Sequence, residues 1–335
     1  MTAPERRHWW PSVGKRPGRR IPWAALLRFA LAAVVLVLVA RSVDLAEMRS
    51  ALATADYRPA VPALALAAVQ LLSGGLLWLW LARAQDSQIK FVEALKAYVG
   101  SHAVAIWTPG RAADYAARPQ LMPRGSRRTW AVAVAVEALI RHPVPLGMAA
   151  AAALAWFAFT GVEWFAAAAV GVCVVSLLPI LWPPLLVRFV RPLGFEGRLE
   201  FLDRLGVRDR VGLMLGHGLR YAILGLQFGL LVKAMAPDSG PLLILSAGAL
   251  ITLCLKLLLP LLSFAELGIR EGAAVLVFGT LGIAPEAALN ASLMIYAVNV
   301  LLPAAVGSVV WLRQPRRVKS ERESPGSPEQ SPDQA

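Results

Sequence analysis

The sequence predicts an all-α fold, a polytopic transmembrane helical bundle of about eight membrane helices with two short broken or re-entrant segments. Three observations lead to this fold class. Hydrophobic residues make up 57% of the chain and charged residues 16%, whereas soluble domains usually carry about a quarter of their residues as charges. Apolar runs of membrane-spanning length recur along the chain. These runs lack the alternation of apolar and polar residues that is typical of outer-membrane strands, so helices are predicted.

The long apolar runs lie at residues 21–40, 60–82, 131–158, 164–187, 211–235, 241–263 and 288–312. Each reaches or approaches the roughly 20 residues that a helix needs to cross a bilayer. The first run ends without a convincing cleavage site, so it is predicted to be a retained signal anchor. The chain is therefore divided into a basic cytoplasmic N-terminal segment (1–20), a transmembrane domain (21–313) and a basic, then disordered, cytoplasmic tail (314–335).

The net charge of +13 is concentrated in short segments beside the apolar runs. Basic residues cluster in the N-terminal segment, the 188–210 loop and the 313–322 segment, whereas the connections at 160–163 and 236–240 contain no lysine or arginine. This is the positive-inside pattern. It predicts a multi-pass protein of the plasma (inner) membrane with both termini in the cytoplasm, and it argues against a nucleic-acid partner.

Two apolar segments are shorter, at 91–108 and 272–283. The second has 12 residues and cannot by itself cross a hydrocarbon core about 30 Å thick. Each adjoins a cluster of glycine, proline and charged residues, at 108–119 and 264–272. Short, interrupted segments in corresponding places of two halves indicate a transporter-like binding site. The alternative is a pair of ordinary short helices with interfacial loops.

Charged residues within or beside the apolar runs are the candidate functional residues. Three pairs place an acid four residues before an arginine, namely Asp114 with Arg118, Glu137 with Arg141, and Glu266 with Arg270. This spacing brings side chains together on one face of a helix. Because charge in a bilayer is costly, such residues usually pair and face a cavity. The alternative is that the pairs are staples between helices or anchors at the interface. His142 follows the second pair and could titrate in a cavity.

Arg111 has no acid four residues before it and follows Pro109 and Gly110. A guanidinium can bind phosphate oxygens through two hydrogen bonds, so Arg111 is a candidate for an anionic head group. The alternative is that Arg111 reaches lipid phosphates at the interface. In the second half, Pro260 with Gly268 and Gly272 would allow a helix to break at membrane depth.

Glu271 is expected to be the free charge of the second cluster. Adjacent helical residues point about 100° apart, which predicts that Arg270 and Glu271 do not satisfy each other. Glu266, one turn before Arg270, would then neutralise the arginine. Arg270 and Glu271 are therefore predicted to carry transport. Glu271 is expected to face a cavity that it shares with Arg111 and Asp114 of the 108–119 cluster.

The stretch from 257 to 312, beginning LLLPLLSFAELGIREG, resembles the C-terminal signature of flippase-like membrane proteins related to the transmembrane region of lysylphosphatidylglycerol synthase. That signature is a proline before a GlGxRE motif, then an apolar segment and a final helix. The matching residues are Pro260, Gly268, Arg270, Glu271, Gly282 and Pro303. The PgrxGE motif of the family's first half is similar to Pro109, Gly110 and Arg111. The chain departs from the family pattern at Ala113 with Asp114 and at Ala265 with Glu266, where the family has Gly-Glu and Gly-Gly.

The resemblance implies a protein that moves a phospholipid or a lipid-linked precursor between membrane leaflets. Its partners would be membrane lipids with anionic or lipid-phosphate head groups, and a separate cytoplasmic lipid-modifying enzyme could supply them. An aminoacyl-transferase activity is not expected, because nothing after residue 313 could form that domain. Two alternatives stay open. One is a membrane-embedded transferase acting on a polyprenyl-phosphate or phospholipid, with Glu271 or Asp114 as general base; the other is a non-transporting accessory subunit.

Enzyme and metal signatures are missing from the sequence. It has no Walker A loop, no G-x-S-x-G elbow and no H-E-x-x-H helix, and its four histidines are dispersed. We therefore assign no catalytic residue, metal ligand or cofactor. The glycines near His217, together with Gly212, Gly225 and Gly229, are predicted to form a small-residue packing face between helices.

Overall fold

The computed structural model describes residues 45–108, 113–160, 205–258 and 265–313, and regular structure in these ranges is entirely helical. The helices are α1 (Leu45–Ala53), α2 (Ala60–Gln85), α3 (Phe91–Ala105), α4 (Asp114–Leu121), α5 (Arg127–Arg141), α6 (Pro143–Thr160), α7 (Val207–Met235), α8 (Leu242–Leu258), α9 (Ala265–Gly279), α10 (Pro285–Tyr296) and α11 (Leu302–Leu312). A π-helical turn, Ala297–Leu301, joins α10 to α11. The predicted all-α class is confirmed.

Four helical stretches are long and apolar enough to cross a membrane, judged by length and composition. They are Ala60–Gln85, Thr129–Trp156, Val207–Met235 and Pro285–Leu312, which correspond to α2, α5 with α6, α7, and α10 through α11. The prediction of a multi-pass helical membrane protein is therefore confirmed. The runs at 21–40 and 164–187 and the basic segments lie outside the described residues, so the number of about eight membrane helices and the orientation stay predictions.

The two short segments form helices that are too short to cross a bilayer alone. Helices α3 and α9 each have 15 residues, a length of about 22 Å against a hydrocarbon core of about 30 Å. Helix α3 is followed by the eight-residue helix α4, which packs against both α3 and α5. In the second half, a turn with Gly282 at φ 71° follows α9 and leads into α10, which starts at Pro285. Both short helices therefore pack within the bundle as parts of interrupted segments.

The glycine face of α7 lets the neighbouring helices approach closely, as predicted. A Cβ on Gly229 would lie 2.9 Å from the backbone nitrogen of Ser246 in α8, and one on Gly216 would lie 2.5 Å from Cδ2 of Leu77 in α2. Contacts this short are almost never tolerated by a real side chain, so larger residues there would separate the helices. Helix α7 is thus the central element that contacts α2 on one side and α8 on the other.

The end of the chain packs against the first half. Helix α11 lies along α3, and Gly307 approaches the main chain at Val99 and Ala103. The indole Nε1 of Trp311 donates a hydrogen bond of 2.7 Å to the carbonyl of Gly100. These contacts bring the short helix of the first half beside the final span. They position residues far apart in sequence around one interior space.

Candidate functional site

Arg118 is the centre of a buried ion cluster in the first half, which we call the Arg118 cluster (Ser101, Asp114, Arg118, Glu137 and His217). Its Nη1 forms a salt bridge with Oε2 of Glu137, and its Nη2 lies 3.5 Å from Oδ2 of Asp114. Its Nε donates a hydrogen bond of 3.3 Å to Ser101. The arginine side chain is 1% exposed, so this charge is removed from water and depends on its partners. The predicted pairing of Asp114 with Arg118 is confirmed.

Helices α3, α4, α5 and α7 each supply a member of the Arg118 cluster, and Trp78 of α2 with Tyr98 of α3 forms an aromatic wall beside it. The guanidinium lies 5.2 Å from the ring centre of Trp78 and 4.9 Å from that of Tyr98, at distances suited to cation–π attraction. On the far side of Glu137, Oε1 is 3.9 Å from Nε2 of His217. The cluster thus connects four helices through charge as well as through apolar packing.

The prediction that Glu137 pairs with Arg141 is corrected by this geometry. Glu137 lies on the buried face of α5 and forms its salt bridge with Arg118 of α4. Arg141, at the end of α5, is only partly buried. The spacing of four residues is compatible with a pair within the helix, but the carboxylate of Glu137 binds Arg118, which is more deeply buried and belongs to another helix. Nδ1 of His142, at the end of α5, donates a 2.5 Å hydrogen bond to the carbonyl of Ala138.

A second buried ion pair, Arg270 with Glu271, lies in α9. Nη2 of Arg270 contacts Oε1 of Glu271 directly, and Nε of Arg270 donates a 2.9 Å hydrogen bond to Ser292 of α10. The hydroxyl of Ser292 in turn donates to Oε1 of Glu271 at 3.0 Å. The guanidinium lies 4.8 Å from the ring centre of Tyr296. The pair therefore joins α9 to α10.

The expectation that Arg270 and Glu271 do not satisfy each other is wrong. Although their Cα–Cβ bonds diverge by about 100°, both side chains are long enough to bend toward Ser292, where they meet. Glu271 is consequently bound at one oxygen and is not the fully free charge that the sequence predicted. Its other oxygen, Oε2, is buried and has no hydrogen-bond partner within the described part of the chain. The side chain of Glu266 lies outside the described residues, so its predicted neutralising role stays a prediction.

A half-open cavity of about 200 Å³ lies between the two clusters, and we call it the central cavity. Its polar lining consists of Gln70, Tyr98, His102, Arg220, Arg270 and Asn299. The remaining walls are apolar side chains of α2, α7, α8 and the region from α10 to α11. Gln70, Arg220 and Asn299 each lie near the middle of their membrane-length helices. The cavity is therefore polar at the depth where a bilayer is most apolar.

Arg220 is the cavity residue that sequence reasoning missed. Its Nη2 donates to the hydroxyl of Tyr98 at 2.8 Å and to the carbonyl of Gln70 at 3.1 Å. Its Nε is buried and has no hydrogen-bond partner among the described residues. The signal was present in the sequence, because an arginine in the middle of an apolar run, with no acid four residues away on either side, indicates a functional site in a membrane helix.

Asn299 reaches the central cavity from the π-helical turn between α10 and α11. Its amide donates to Oε1 of Gln227 at 3.0 Å, and Gln227 donates to the carbonyl of Ala63 at 2.9 Å. Pro303 has no amide hydrogen, so the regular helical ladder cannot pass it. Wide turns of this kind inside α-helices occur frequently at functional sites. The amide is thereby held at the cavity wall by a hydrogen-bonded chain to α2.

Some of the remaining predicted site residues lie outside the described part of the chain, and the others lie in different parts of the bundle. Pro109, Gly110, Arg111 and Pro260 lie outside the described residues, so the predicted role of Arg111 stays a prediction. Gly268 is buried and Gly272 is partly buried in α9. Of the two charge clusters that were expected to share a cavity, Arg270 lines the central cavity, whereas Asp114 lies in the Arg118 cluster. Tyr98 joins the two regions, because Arg118 and Arg220 both lie against its ring, at 4.9 and 5.6 Å.

A comparison with known protein families matches residues 25–307 to the family described as the lysylphosphatidylglycerol synthase TM region. No curated protein matches the sequence. The matched region contains the Arg118 cluster, the Arg270–Glu271 pair and every polar residue of the central cavity. It extends over most of the chain and confirms the resemblance inferred from the GIREG stretch. The chain therefore belongs to the family of the lysylphosphatidylglycerol synthase transmembrane region and is a membrane protein related to lipids.

Proposed function

We propose that this protein moves phospholipids or lipid-linked precursors between membrane leaflets, with the lipid head group passing through the central cavity. The observation that carries the proposal is the polar lining of that cavity at the middle of the apolar helices, where Gln70, Arg220 and Asn299 meet. A charge at this depth costs about 2.5–3.5 kcal/mol on insertion scales. Membrane proteins keep such groups chiefly where an ion or a polar substrate passes.

The size of the central cavity supports passage of the head group alone. Its volume of about 200 Å³ is below the roughly 300–1,000 Å³ of pockets that enclose drug-sized ligands. A phosphate with a small polar group fits such a space, whereas two acyl chains do not. The chains would therefore stay in the surrounding lipid while the head group crosses. This division removes the main barrier to lipid exchange, which is transfer of the polar head through hydrocarbon.

The Arg270–Glu271 pair supplies the movable charge in this proposal. Arg270 lines the central cavity, and its partner Glu271 lies behind it with one oxygen available. A head group that contacts Arg270 would compete with Glu271 for the guanidinium. Arg270→Ala and Glu271→Gln are therefore expected to abolish lipid translocation; each also breaks a buried ion pair and should lower the unfolding temperature, but the protein should still insert as a folded bundle. Arg58→Ala, which changes an exposed arginine before α2, is the matched control and should behave as wild type.

The experiment is leaflet exchange in liposomes that contain the purified full-length chain. Fluorescent phospholipids report exchange through quenching from outside, and mass spectrometry of the recovered lipids reports chemical conversion. Exchange without conversion supports transport, and it should be lost in Arg270→Ala and Glu271→Gln. Conversion of the lipid would instead support the membrane-embedded transferase, with Glu271 or Asp114 as base. If the folded protein gives no exchange and no conversion, this result would support the accessory subunit and contradict the proposal.

We further propose that the protein lies in the plasma (inner) membrane with both termini cytoplasmic and that a separate cytoplasmic enzyme modifies or delivers its lipids. The basic segments at 1–20, 188–210 and 313–322 support this orientation. Tags placed at the two ends should both be protected in intact cells and become accessible on the cytoplasmic side of inverted vesicles. A C-terminal tag that is accessible only from outside would contradict the orientation.

A further inference from the structure

We propose that the central cavity selects phospholipids whose head group carries one net negative charge and that Arg220 binds the phosphate. This inference rests on the proposed function, because it names the class of lipid that enters the same cavity. It concerns selection and binding, which can be measured separately from movement between leaflets.

Two arginines, Arg220 and Arg270, line the central cavity, and only Arg270 has a carboxylate partner among the described residues. Arg270 is neutralised by Glu271, and Ser292 connects the two. Arg220 forms no salt bridge with a carboxylate in the described part of the chain, and the groups that its Nη2 contacts, the Tyr98 hydroxyl and the Gln70 carbonyl, are neutral. The lining is completed by the uncharged side chains of Gln70 and Asn299 and by His102, whose Nδ1 donates a 2.9 Å hydrogen bond to the carbonyl of Tyr98. A ligand with one negative charge would therefore bring the lining to neutrality.

Arg220 is held in place with part of its hydrogen-bonding capacity unused. Two neutral acceptors hold Nη2, at 2.8 Å and 3.1 Å, and the ring of Tyr98 lies 5.6 Å from the guanidinium carbon. Its Nε is buried without a hydrogen-bond partner among the described residues. A buried donor without an acceptor is costly. A phosphate oxygen would satisfy it, and a charge-assisted hydrogen bond of this kind is about twice as strong as a neutral one.

The charge balance distinguishes the possible lipids. A phosphodiester with an uncharged polar head, such as phosphatidylglycerol, offers one negative charge to Arg220 and hydroxyls to Gln70 and Asn299. A zwitterionic head offers the same phosphate but also an ammonium, which would need Glu271 and would compete with Arg270 for it. A head group with a net positive charge would meet Arg220 without compensation. The expected order of binding is therefore anionic, then zwitterionic, then cationic.

An uncompensated charge also predicts how the protein behaves without lipid. Loss of a purely structural arginine would lower the unfolding temperature in every condition. Arg220→Gln removes a charge that is costly at mid-membrane depth, which offsets the loss of its hydrogen bonds to Tyr98 and Gln70, so the unfolding temperature of the lipid-free protein should change little. The stabilisation given by anionic lipid should be lost. This pair of results separates ligand binding from a structural role.

The test measures lipid binding to the full-length protein in a neutral detergent. Native mass spectrometry and thermal unfolding are recorded with phosphatidylglycerol, phosphatidylcholine and a synthetic trimethylammonium lipid. Wild type should bind phosphatidylglycerol most tightly, and Arg220→Gln should lower that affinity about 10- to 100-fold and remove the preference. Arg220→Lys keeps the charge without the planar fork, so it should keep the preference at lower affinity. Arg208→Gln, an exposed position of the same helix, is the control.

Equal binding of the anionic and cationic lipids by wild type would overturn the inference, and this comparison does not depend on any variant. Unchanged affinity of Arg220→Gln for phosphatidylglycerol would also overturn it. Selective binding of the anionic lipid without leaflet exchange in liposomes would contradict the proposed transport but would still support head-group selection by the cavity. Exchange of all three lipids at equal rates would contradict the selection and leave transport intact.

Discussion

Gly74 lies where α2 meets α3, and replacing it with alanine should disturb the central cavity through Tyr98. A Cβ at Gly74 would lie 2.5 Å from Cε1 of Tyr98 and closer still to Cζ and the hydroxyl oxygen. Ordinary contacts of this kind are 3.4–4 Å, so the ring would have to retreat by about 1 Å. The hydrogen bond from Arg220 to the Tyr98 hydroxyl, now 2.8 Å, would then exceed normal hydrogen-bond length.

The expected cost of Gly74→Ala follows from these contacts. Overpacking of this size costs about 1–3 kcal/mol, and loss of the hydrogen bond adds about 1 kcal/mol. The helix propensity of alanine returns about 1 kcal/mol, which leaves a net loss of about 1–3 kcal/mol. We expect a lower unfolding temperature, together with weaker phosphatidylglycerol binding and slower lipid exchange, because Arg220 loses the group that orients it.

Two variants control the experiment on Gly74. Gly218→Ala lies near Arg220 in α7, but its Cβ would meet only Cγ1 of Val144 at 3.9 Å, so it should keep stability and exchange. Tyr98→Phe removes the hydroxyl and keeps the ring, so it should fold well and still weaken lipid binding. The reasoning is refuted if folded Gly74→Ala exchanges lipid at the wild-type rate, or if Gly218→Ala is impaired to the same extent.

Three further predictions follow from buried contacts. Glu137→Gln should destabilise the protein by about 3–5 kcal/mol in thermal unfolding, because it removes the main carboxylate partner of Arg118, whereas Arg141→Gln leaves that salt bridge in place and should cost less. Ser292→Ala should cost about 1–3 kcal/mol, because its hydroxyl joins Arg270 to Glu271; Ser308→Ala, which loses a bond only to its own helix, is the control. Gly307→Ala should prevent folding, seen as aggregation on size-exclusion chromatography, because its Cβ would meet the Val99 carbonyl; Gly279→Ala, with open space around it, should fold.

Each of these predictions has a contradicting outcome. Equal losses from Glu137→Gln and Arg141→Gln would place the main partner of Glu137 within its own helix. An unchanged unfolding temperature for Ser292→Ala would show that the Arg270–Glu271 contact does not depend on the serine. A monodisperse, stable Gly307→Ala protein would show that α11 does not press against the main chain of α3.

The sequence was sufficient to predict the class of fold and the kind of residue that forms the sites. Apolar runs gave the long helices at 60–82 and 211–235 nearly at their observed bounds. The pair Asp114–Arg118 followed from helical spacing, because both residues lie on one short helix. These predictions were confirmed because they depended only on the local geometry of one helix.

The partners of the other charges could not be predicted locally. Glu137 binds Arg118 from another helix, and Arg270 meets Glu271 because Ser292 of α10 draws both side chains together. Helical spacing contains no information on which helix lies alongside. Similarly, Gln70, Arg220 and Asn299 are distant in sequence, and only the packing of α2, α7 and the π-helical turn brings them to one cavity. Arg220 alone could have been recognised, as an arginine in the centre of an apolar run.

The most direct test of head-group passage is photocrosslinking from the wall of the central cavity. A diazirine amino acid is placed at Val300, which lines the cavity, or at the adjacent Leu301, whose side chain is 44% exposed on the outer surface. The protein is illuminated in liposomes containing phosphatidylglycerol, and the adducts are identified by mass spectrometry. We predict head-group adducts at position 300 and acyl-chain adducts at position 301. If position 300 gives no head-group adducts and both positions give acyl-chain adducts, the result would contradict passage of the head group through the cavity.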